Sequence, residues 1–520
     1  MIRKILFALL LLLLAIVLYF SPNFKTIAAG VAILLFGMML LEEGFKAFTK
    51  GPLQNIIKKT TDKLYKSISA GALVTAVIQS SSLVSVIAIS FISAGLISLS
   101  GGIGLIFGAN IGTTATAWLI AGFGLKIEIA ALAMPMLIFG FIFSFQKKPS
   151  IKGLGNVLAG LGFFFLGIHY MKEGFDVFKE YIDLSQYAVS GFLGILIYTV
   201  LGIIITTILQ SSSATLALIL TALSAGQIEY ENALALAIGA NVGTTITAVL
   251  GSLGTNIAGR RLAGAHFIFN ITTGVVAAIL IVPLGMLVNL LADWFHISET
   301  NFTLKLALFH TIFNFLGMLI MLPFIKKMEA FLNKFIKESK SKKVDAPIFL
   351  NPQVLKFPQT TISALINESK HLYKNSVFEI IAHAINIHKK DILSKEKLRV
   401  IIEKSNKNFE TDVDKLYRYK VKSIYGEIIK YASTAQSTLI LNDTQNKDLT
   451  DIKIANRKMV EIVKNSSELN RNINGMLQID NIHLKNEYNG FRKKLIKVLR
   501  ILFLFRTEEH ENSEKYIKKL

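Results

Sequence analysis

The sequence predicts an all-α polytopic membrane protein built from two inverted repeats, each with a re-entrant helical hairpin, followed by a cytoplasmic helical bundle. Three observations predict it. Of 520 residues, 52% are hydrophobic, the mean hydropathy is +0.51, and several apolar runs approach the roughly 20 residues a helix needs to cross a bilayer. Two polar phrases recur inside those runs at one common offset: Gln79-Ser80-Ser81-Ser82 returns as Gln210-Ser211-Ser212-Ser213, and Gly108-Ala109-Asn110-Ile111-Gly112-Thr113-Thr114 as Gly239-Ala240-Asn241-Val242-Gly243-Thr244-Thr245. Beyond Lys326 the apolar runs give way to charged, helically periodic sequence.

Residues 1–23 form an N-terminal transmembrane helix or signal anchor, because the apolar run Ile5 to Phe20 follows Arg3 and Lys4 and lacks a small-x-small cleavage site. Residues 24–150 form the first repeat. It opens with a helix from Ile27 to Phe48 that leads into Lys50, Lys58, Lys59, Lys63 and Lys66, a basic stretch expected on the cytoplasmic side. From Ser67 to Leu99 the apolar stretch is interrupted in its middle, and each half is too short to span, which predicts a hairpin with its tip at Gln79 to Ser82. Helices from Leu99 to Ala121 and from Ile127 to Phe145 complete the unit and bring Lys147, Lys148 and Lys152 inside.

Residues 151–330 repeat the pattern and add one helix. The span Leu154 to Phe178 is followed by a hairpin from Ser190 to Gly226, then by spans Ala233 to Leu253, Leu262 to Leu290 and Phe302 to Phe324. The acidic residues Glu180, Asp183, Glu229, Glu231, Asp293 and Glu299 fall outside, and Arg260, Arg261, Lys326 and Lys327 fall inside. Reading both interrupted segments as full spans would put Lys147 and Lys148 outside, against the positive-inside rule. The match extends upstream, where Gly37, Glu43, Gly44, Phe45 and Phe48 recur as Gly167, Glu173, Gly174, Phe175 and Phe178. A unit with three full crossings inserts its copy upside down, and inverted repeats with broken helices are the architecture of secondary transporters.

The chemistry sits at the hairpin tips. Serine is a good N-cap, so Ser80 to Ser82 and Ser211 to Ser213 would open the second half-helices and offer hydroxyls and unpaired N–H groups at a positive helix end, which suits an anion. Gln79 and Gln210 add amide donors and acceptors, and neither hairpin contains Lys or Arg to balance a bound anion. Cations are the natural counter-charge, with oxygen ligands from Asn110, Thr113, Thr114, Asn241, Thr244 and Thr245. Taken singly, each of these serines and threonines would equally serve helix packing.

These paired phrases resemble those of the type II sodium-dependent phosphate cotransporters, specifically the bacterial members with a C-terminal PhoU-like domain. The resemblance covers about Phe24 to Phe324. It implies that the two Gln-Ser-Ser-Ser tips face each other to bind inorganic phosphate and sodium, that sodium is the coupling ion with no organic cofactor, and that the function is sodium-coupled phosphate symport across the cytoplasmic (inner) membrane. A homodimer, and a regulatory partner for the helical domain, are compatible with it.

Weaker signals accompany these. Glu43 and Glu173 would snorkel, end a helix or line an ion path. His266 with Asn270 and His310 with Asn314 repeat as His-x-x-Phe-Asn, for which interhelical hydrogen bonding is the simpler reading. A linker at 331–356 leads to the helical domain at 357–520, where Val413, Leu416, Tyr417, Val421 and Ile424 mark an amphipathic helix. Glu410 and Asp414 resemble the acidic element with which PhoU-like proteins hold metal clusters, but no second copy with that spacing follows, and a solvated helix face is the alternative. The net charge of +21 follows from cytoplasmic loops and the helical domain rather than from a nucleic-acid surface. Cysteine is absent, so there is no disulfide framework and no thiolate metal site. A membrane sensor signalling through the bundle would use the same anion site; an enzyme would need a general base, nucleophile or metal set that the hairpins lack.

Overall fold

The structure, a computed structural model, describes residues 15–49, 59–125, 129–181, 183–337, 346–394, 396–405 and 413–507, together with Leu12 and Ile57. Most of the first apolar run, Ile5 to Phe20, lies outside them. The chain divides into two compact units, Met1–Lys337 and Glu338–Leu520. The described residues are helical, with connecting loops and no strand.

The first unit runs α1 (Pro22–Thr49), α2 (Leu64–Ile78), α3 (Ser81–Ser93), α4 (Leu99–Leu119), α5 (Ile129–Ser144), α6 (Pro149–Tyr181), α7 (Gly191–Leu209), α8 (Ser212–Ser224), α9 (Tyr230–Gly243), α10 (Thr245–Ser252), α11 (Ile257–Ile279), α12 (Ile281–Trp294), α13 (Phe302–Met321) and α14 (Ile325–Phe335). Among the described residues, seven helical stretches are long and apolar enough to cross a membrane: Phe24–Phe45, Leu99–Gly124, Pro149–Lys179, Gly191–Leu209, Tyr230–Ser252, Ile257–Ile279 and Phe302–Phe335. The chain is a multi-pass membrane protein.

Glycines set the closest contacts. On α1, Gly30, Gly37 and Gly44 recur every seventh residue, and on α6 so do Gly153, Gly160, Gly167 and Gly174. The two helices run antiparallel with these stripes face to face. A Cβ on Gly37 would lie 2.5 Å from Phe164 N, and one on Gly167 2.5 Å from Leu34 N, so backbone rests on backbone. The α2 and α4 helices run parallel: Gly104 lies against Ser67, and Gly112 against Thr75, while Gly101 meets Thr61 at the start of both. Between them α3 must travel back, so α2 and α3 go out and return. The same holds for α7, α8 and α9, with Gly194 near Asn232 and Gly243 near Thr206.

Several boundaries differ from expectation. The polar phrase does not sit at the middle of Ser190 to Gly226, so α7 has 19 residues and α8 only 13, and α7 reaches spanning length by itself. The span expected from Leu262 to Leu290 breaks at Leu280, because Pro283 has no N–H to give the carbonyl of Ile279 and crowds it. The α4 helix ends in a π-turn, Ile120–Gly124, whereas its counterpart breaks at Thr244 between α9 and α10. Around these elements Phe164, Leu220, Ile238, Phe309 and Phe313 belong to one continuous apolar core.

In the second unit, Pro358–Leu372, Lys422–Thr438, Asp443–Gln478 and Ile482–Thr507 are the main helices. Val413, Val421 and Ile424 are buried, with Leu416 and Tyr417 half-buried between them. Asn442 and Gln445 close a reciprocal capping box at the head of Asp443–Gln478. Arg492 is fully buried and donates to the carbonyls of Ile385 (2.9 Å), Asn386 (3.1 Å) and Ser405 (3.1 Å), tying down two helix ends. Buried Glu368 accepts from the N–H groups of Ile348 and Phe349 at 2.8 and 2.7 Å.

Candidate functional site

The two glutamines of the repeated phrase carry the backbone through its turn. Gln79 (φ 59°, ψ 26°) and Gln210 (φ 53°, ψ 23°) both adopt the left-handed conformation, which costs a non-glycine residue about 1–2 kcal/mol. The same departure recurs at the matching residue of both phrases, where each glutamine caps the end of a helix. Each glutamine ends one helix and hands the chain to a serine that begins the next. Ser80 Oγ accepts from Leu83 N at 3.3 Å, and Ser211 Oγ from Ala214 N at 3.2 Å. The first intrahelical bonds of α3 and α8 are those of Val84 to Ser80 and Thr215 to Ser211. The N–H groups of Ser81, Ser82, Ser212 and Ser213 precede them, at the positive end of each helix.

One residue joins the tips. Thr116 on α4 donates from Oγ1 to Gln79 Oε1 at 2.7 Å, and the same oxygen lies 3.3 Å from Ser213 Oγ. Gln79 of the first phrase and Ser213 of the second thus stand on either side of one buried hydroxyl. The tips are not equivalent in their surroundings. Ser80 Oγ donates to Glu42 Oε2 at 3.3 Å and lies 3.3 Å from Ser82 Oγ, whereas Ser211 Oγ faces the Met38 sulfur at 4.0 Å. Ser212 and Ser213 are buried, Ser81 and Ser82 half-buried, and Gln210 exposed.

The Asn-Gly-Thr-Thr residues divide between the halves. In the first, Asn110 Nδ2 donates to Ile106 O at 3.0 Å, and the hydroxyls of Thr113 and Thr114 turn back to the carbonyls of Asn110 and Ile111, all within α4. In the second, Thr244 and Thr245 donate to Asn241 and Val242 carbonyls at 2.6 and 2.8 Å, while Asn241 is drawn into contacts with neighbouring helices. Asn241 Nδ2 donates to Asn314 Oδ1 at 3.2 Å, and Asn270 Nδ2 donates to Asn241 O at 3.2 Å and to Thr244 Oγ1 at 3.1 Å. The threonine hydroxyl oxygens, which donate in these bonds, keep lone pairs that could face a cation, whereas Asn241 O already accepts from both Thr244 and Asn270.

Glu43 and Glu173 are exposed, and the acid that reaches a tip is the neighbouring Glu42. Thr116, Glu42 and Asn270 were not assigned to a site from sequence. Thr116 had a signal, since Thr247 recurs at the offset of the two phrases. Glu410 and the Asp414 side chain lie outside the described residues, among which no group of three His, Asp or Glu residues would hold a metal ion.

Two segments, 33–173 and 194–327, match the family described as Na+/Pi-cotransporter. The chain is 29% identical over 312 residues to the protein of Escherichia coli (strain K12) named "Putative inorganic phosphate export protein YjbB", covering 60% of this chain and 55% of that one. The Salmonella typhimurium protein of that name is 28% identical over 312 residues, covering 60% of this chain and 55% of that one. The chain therefore spans about half the length of these relatives. It is 28% identical over 306 residues to "Uncharacterized protein YqeW" of Bacillus subtilis (strain 168), covering 57% of this chain and 92% of that one. No solved structure matches.

Proposed function

As the chain belongs to the Na+/Pi-cotransporter family, we propose that it carries inorganic phosphate across the inner membrane by sodium-coupled symport, with phosphate held between the two Gln-Ser-Ser-Ser tips. The observation that carries this reading is the Thr116 hydroxyl placed between Gln79 and Ser213, which brings two anion-suited helix ends to one point. In this reading the out-and-back paths of α2–α3 and α7–α8 are the re-entrant hairpins. The antiparallel contact of α1 with α6, the matching first helices of the repeats, supports an inverted pair.

Charge argues for the coupling ion. Phosphate crossing as a dianion into a cell negative inside is opposed by about 4.6 kcal/mol per 100 mV, twice the roughly 2.3 for a single charge. Neither segment 67–99 nor segment 190–226 contains Lys or Arg, and the Glu42 side chain lies beside the first tip. Cations must therefore travel with the anion. Two sodium ions would cancel its charge, and a third would make the voltage help. The second unit serves in this reading as a cytoplasmic, PhoU-like regulatory domain.

The name given to the E. coli relative favours a second reading, net export by the same site. Radiolabelled phosphate flux in proteoliposomes separates the readings. Uptake driven by an inward sodium gradient, and lost when choline replaces sodium at fixed pH, is expected. Flux indifferent to sodium overturns the coupling, and phosphate efflux that an opposing sodium gradient does not slow favours export.

A further inference from the structure

The duplicated His-x-x-Phe-Asn phrase places Asn270 on α11 and Asn314 on α13, and both reach Asn241 on α9. All three asparagines are buried, Asn270 and Asn314 completely. Asn270 is bonded at one end of its amide only. Its Nδ2 meets two oxygens, Asn241 O and Thr244 Oγ1, while its buried Oδ1 meets no donor. A buried acceptor left without a donor is unfavourable and calls for an explanation.

The two ends of an amide have nearly the same shape, so a half-turn about its terminal bond exchanges donor for acceptor in the same space. After that turn Asn270 Oδ1 would face Asn241 O and Thr244 Oγ1. Three oxygens converging in an apolar setting repel one another unless a cation lies among them, and a cation there gains three hard ligands. The set contains no carboxylate, which suits a monovalent ion better than calcium or magnesium. Resting on the sodium-coupled reading above, we propose that Asn270, Asn241 and Thr244 form a sodium site in which the Asn270 amide is a place-holder: its Nδ2 bridges the two oxygens without the ion, and its Oδ1 binds the ion after the half-turn. Asn314 steadies the site by accepting from Asn241 Nδ2.

The test uses the purified full-length protein in detergent without phosphate, melted over a series in which sodium chloride replaces choline chloride at constant ionic strength. Wild type is expected to be stabilised by sodium and not by potassium. Asn270→Ala removes the third ligand and should raise the sodium midpoint by about tenfold or more. Asn270→Asp presents oxygen at both ends, so it should lower the midpoint by about tenfold and melt earlier in choline, where the bridging donor is missing. A residue that only packs helices would shift melting in choline and leave the sodium midpoint alone. An unchanged midpoint in Asn270→Ala overturns the site while leaving sodium-coupled flux standing. If that variant does not fold, an unchanged or raised midpoint in Asn270→Asp does the same. A wild type that sodium fails to stabilise overturns the site as well, and the flux assay then decides separately whether the coupling survives.

Discussion

Replacing Thr116 with valine keeps its volume and removes the hydroxyl that touches both tips. That hydroxyl has one proton. Gln79 Oε1 can only accept, so the proton goes there, and Ser213 must supply the donor in the 3.3 Å contact. The order is Ser213 to Thr116 to Gln79. Valine leaves Gln79 Oε1 without its donor and Ser213 without its acceptor, and an orphaned buried group costs about 1–3 kcal/mol. If phosphate binding draws the tips together through this chain, the apparent dissociation constant should rise about 5- to 150-fold. Thr116→Ser, which keeps the hydroxyl, should stay close to wild type. Ser213→Ala breaks the same chain from the other end, so the double variant should be weaker than either single one by less than the product of their effects, with a coupling of about 0.5–1.5 kcal/mol. The assay is equilibrium binding of radiolabelled phosphate to purified protein at saturating sodium. Wild-type affinity in Thr116→Val, or two effects that simply multiply, would refute the reasoning.

A bulky leucine at Ser81 or at Ser212 should block phosphate transport from either tip; wild-type uptake in both variants would contradict a shared site. A chain ending at Lys337 should still insert and carry phosphate with altered control, and if it binds phosphate without moving it, the second unit belongs to the transport cycle. Burial pushes the Arg492 guanidinium down to about 10, and Arg492→Met, which leaves the carbonyls it held unpaired, should destabilise the second unit by at least about 3 kcal/mol, read as faster hydrogen exchange across Asp443–Gln478. Burial also holds the His383 imidazole below its ordinary range, outweighing the Glu379 carboxylate. The stability this confers is full above the unfolded value of about 6.5 and is lost as pH falls through the lower folded value; His383→Gln should flatten that slope below about pH 6.5.

Much of the architecture could be read from composition, because hydrocarbon forbids unpaired backbone and so forces long apolar helices. The two tips could be read for the same reason, since four polar residues in such a run are costly without a purpose. Other features depend on packing that no local pattern fixes. Glu42 and Glu43 are neighbours on one helix, and which of them meets Ser80 is set by the face that Gly37 and Gly44 turn toward α6. Asn270 and Asn314 lie on matching phrases, yet their meeting at Asn241 required α9, α11 and α13 to come together. The break at Leu280 was foretold by Pro283 alone, a signal easily outweighed by the apolar run around it.

The glycine stripes of α1 and α6 constrain how those helices can move. With a glycine every seventh residue on each and backbone filling every gap, a slip of one turn would drive a leucine or methionine stem into the opposite main chain. The stripes come back into register only after a slide of about 10 Å, the rise of seven residues. Short strokes along the common axis are therefore closed, and so is rolling of either helix, which would carry its glycines off the contact and bring side chains in. The pair is keyed to move as one body and cannot act as a piston.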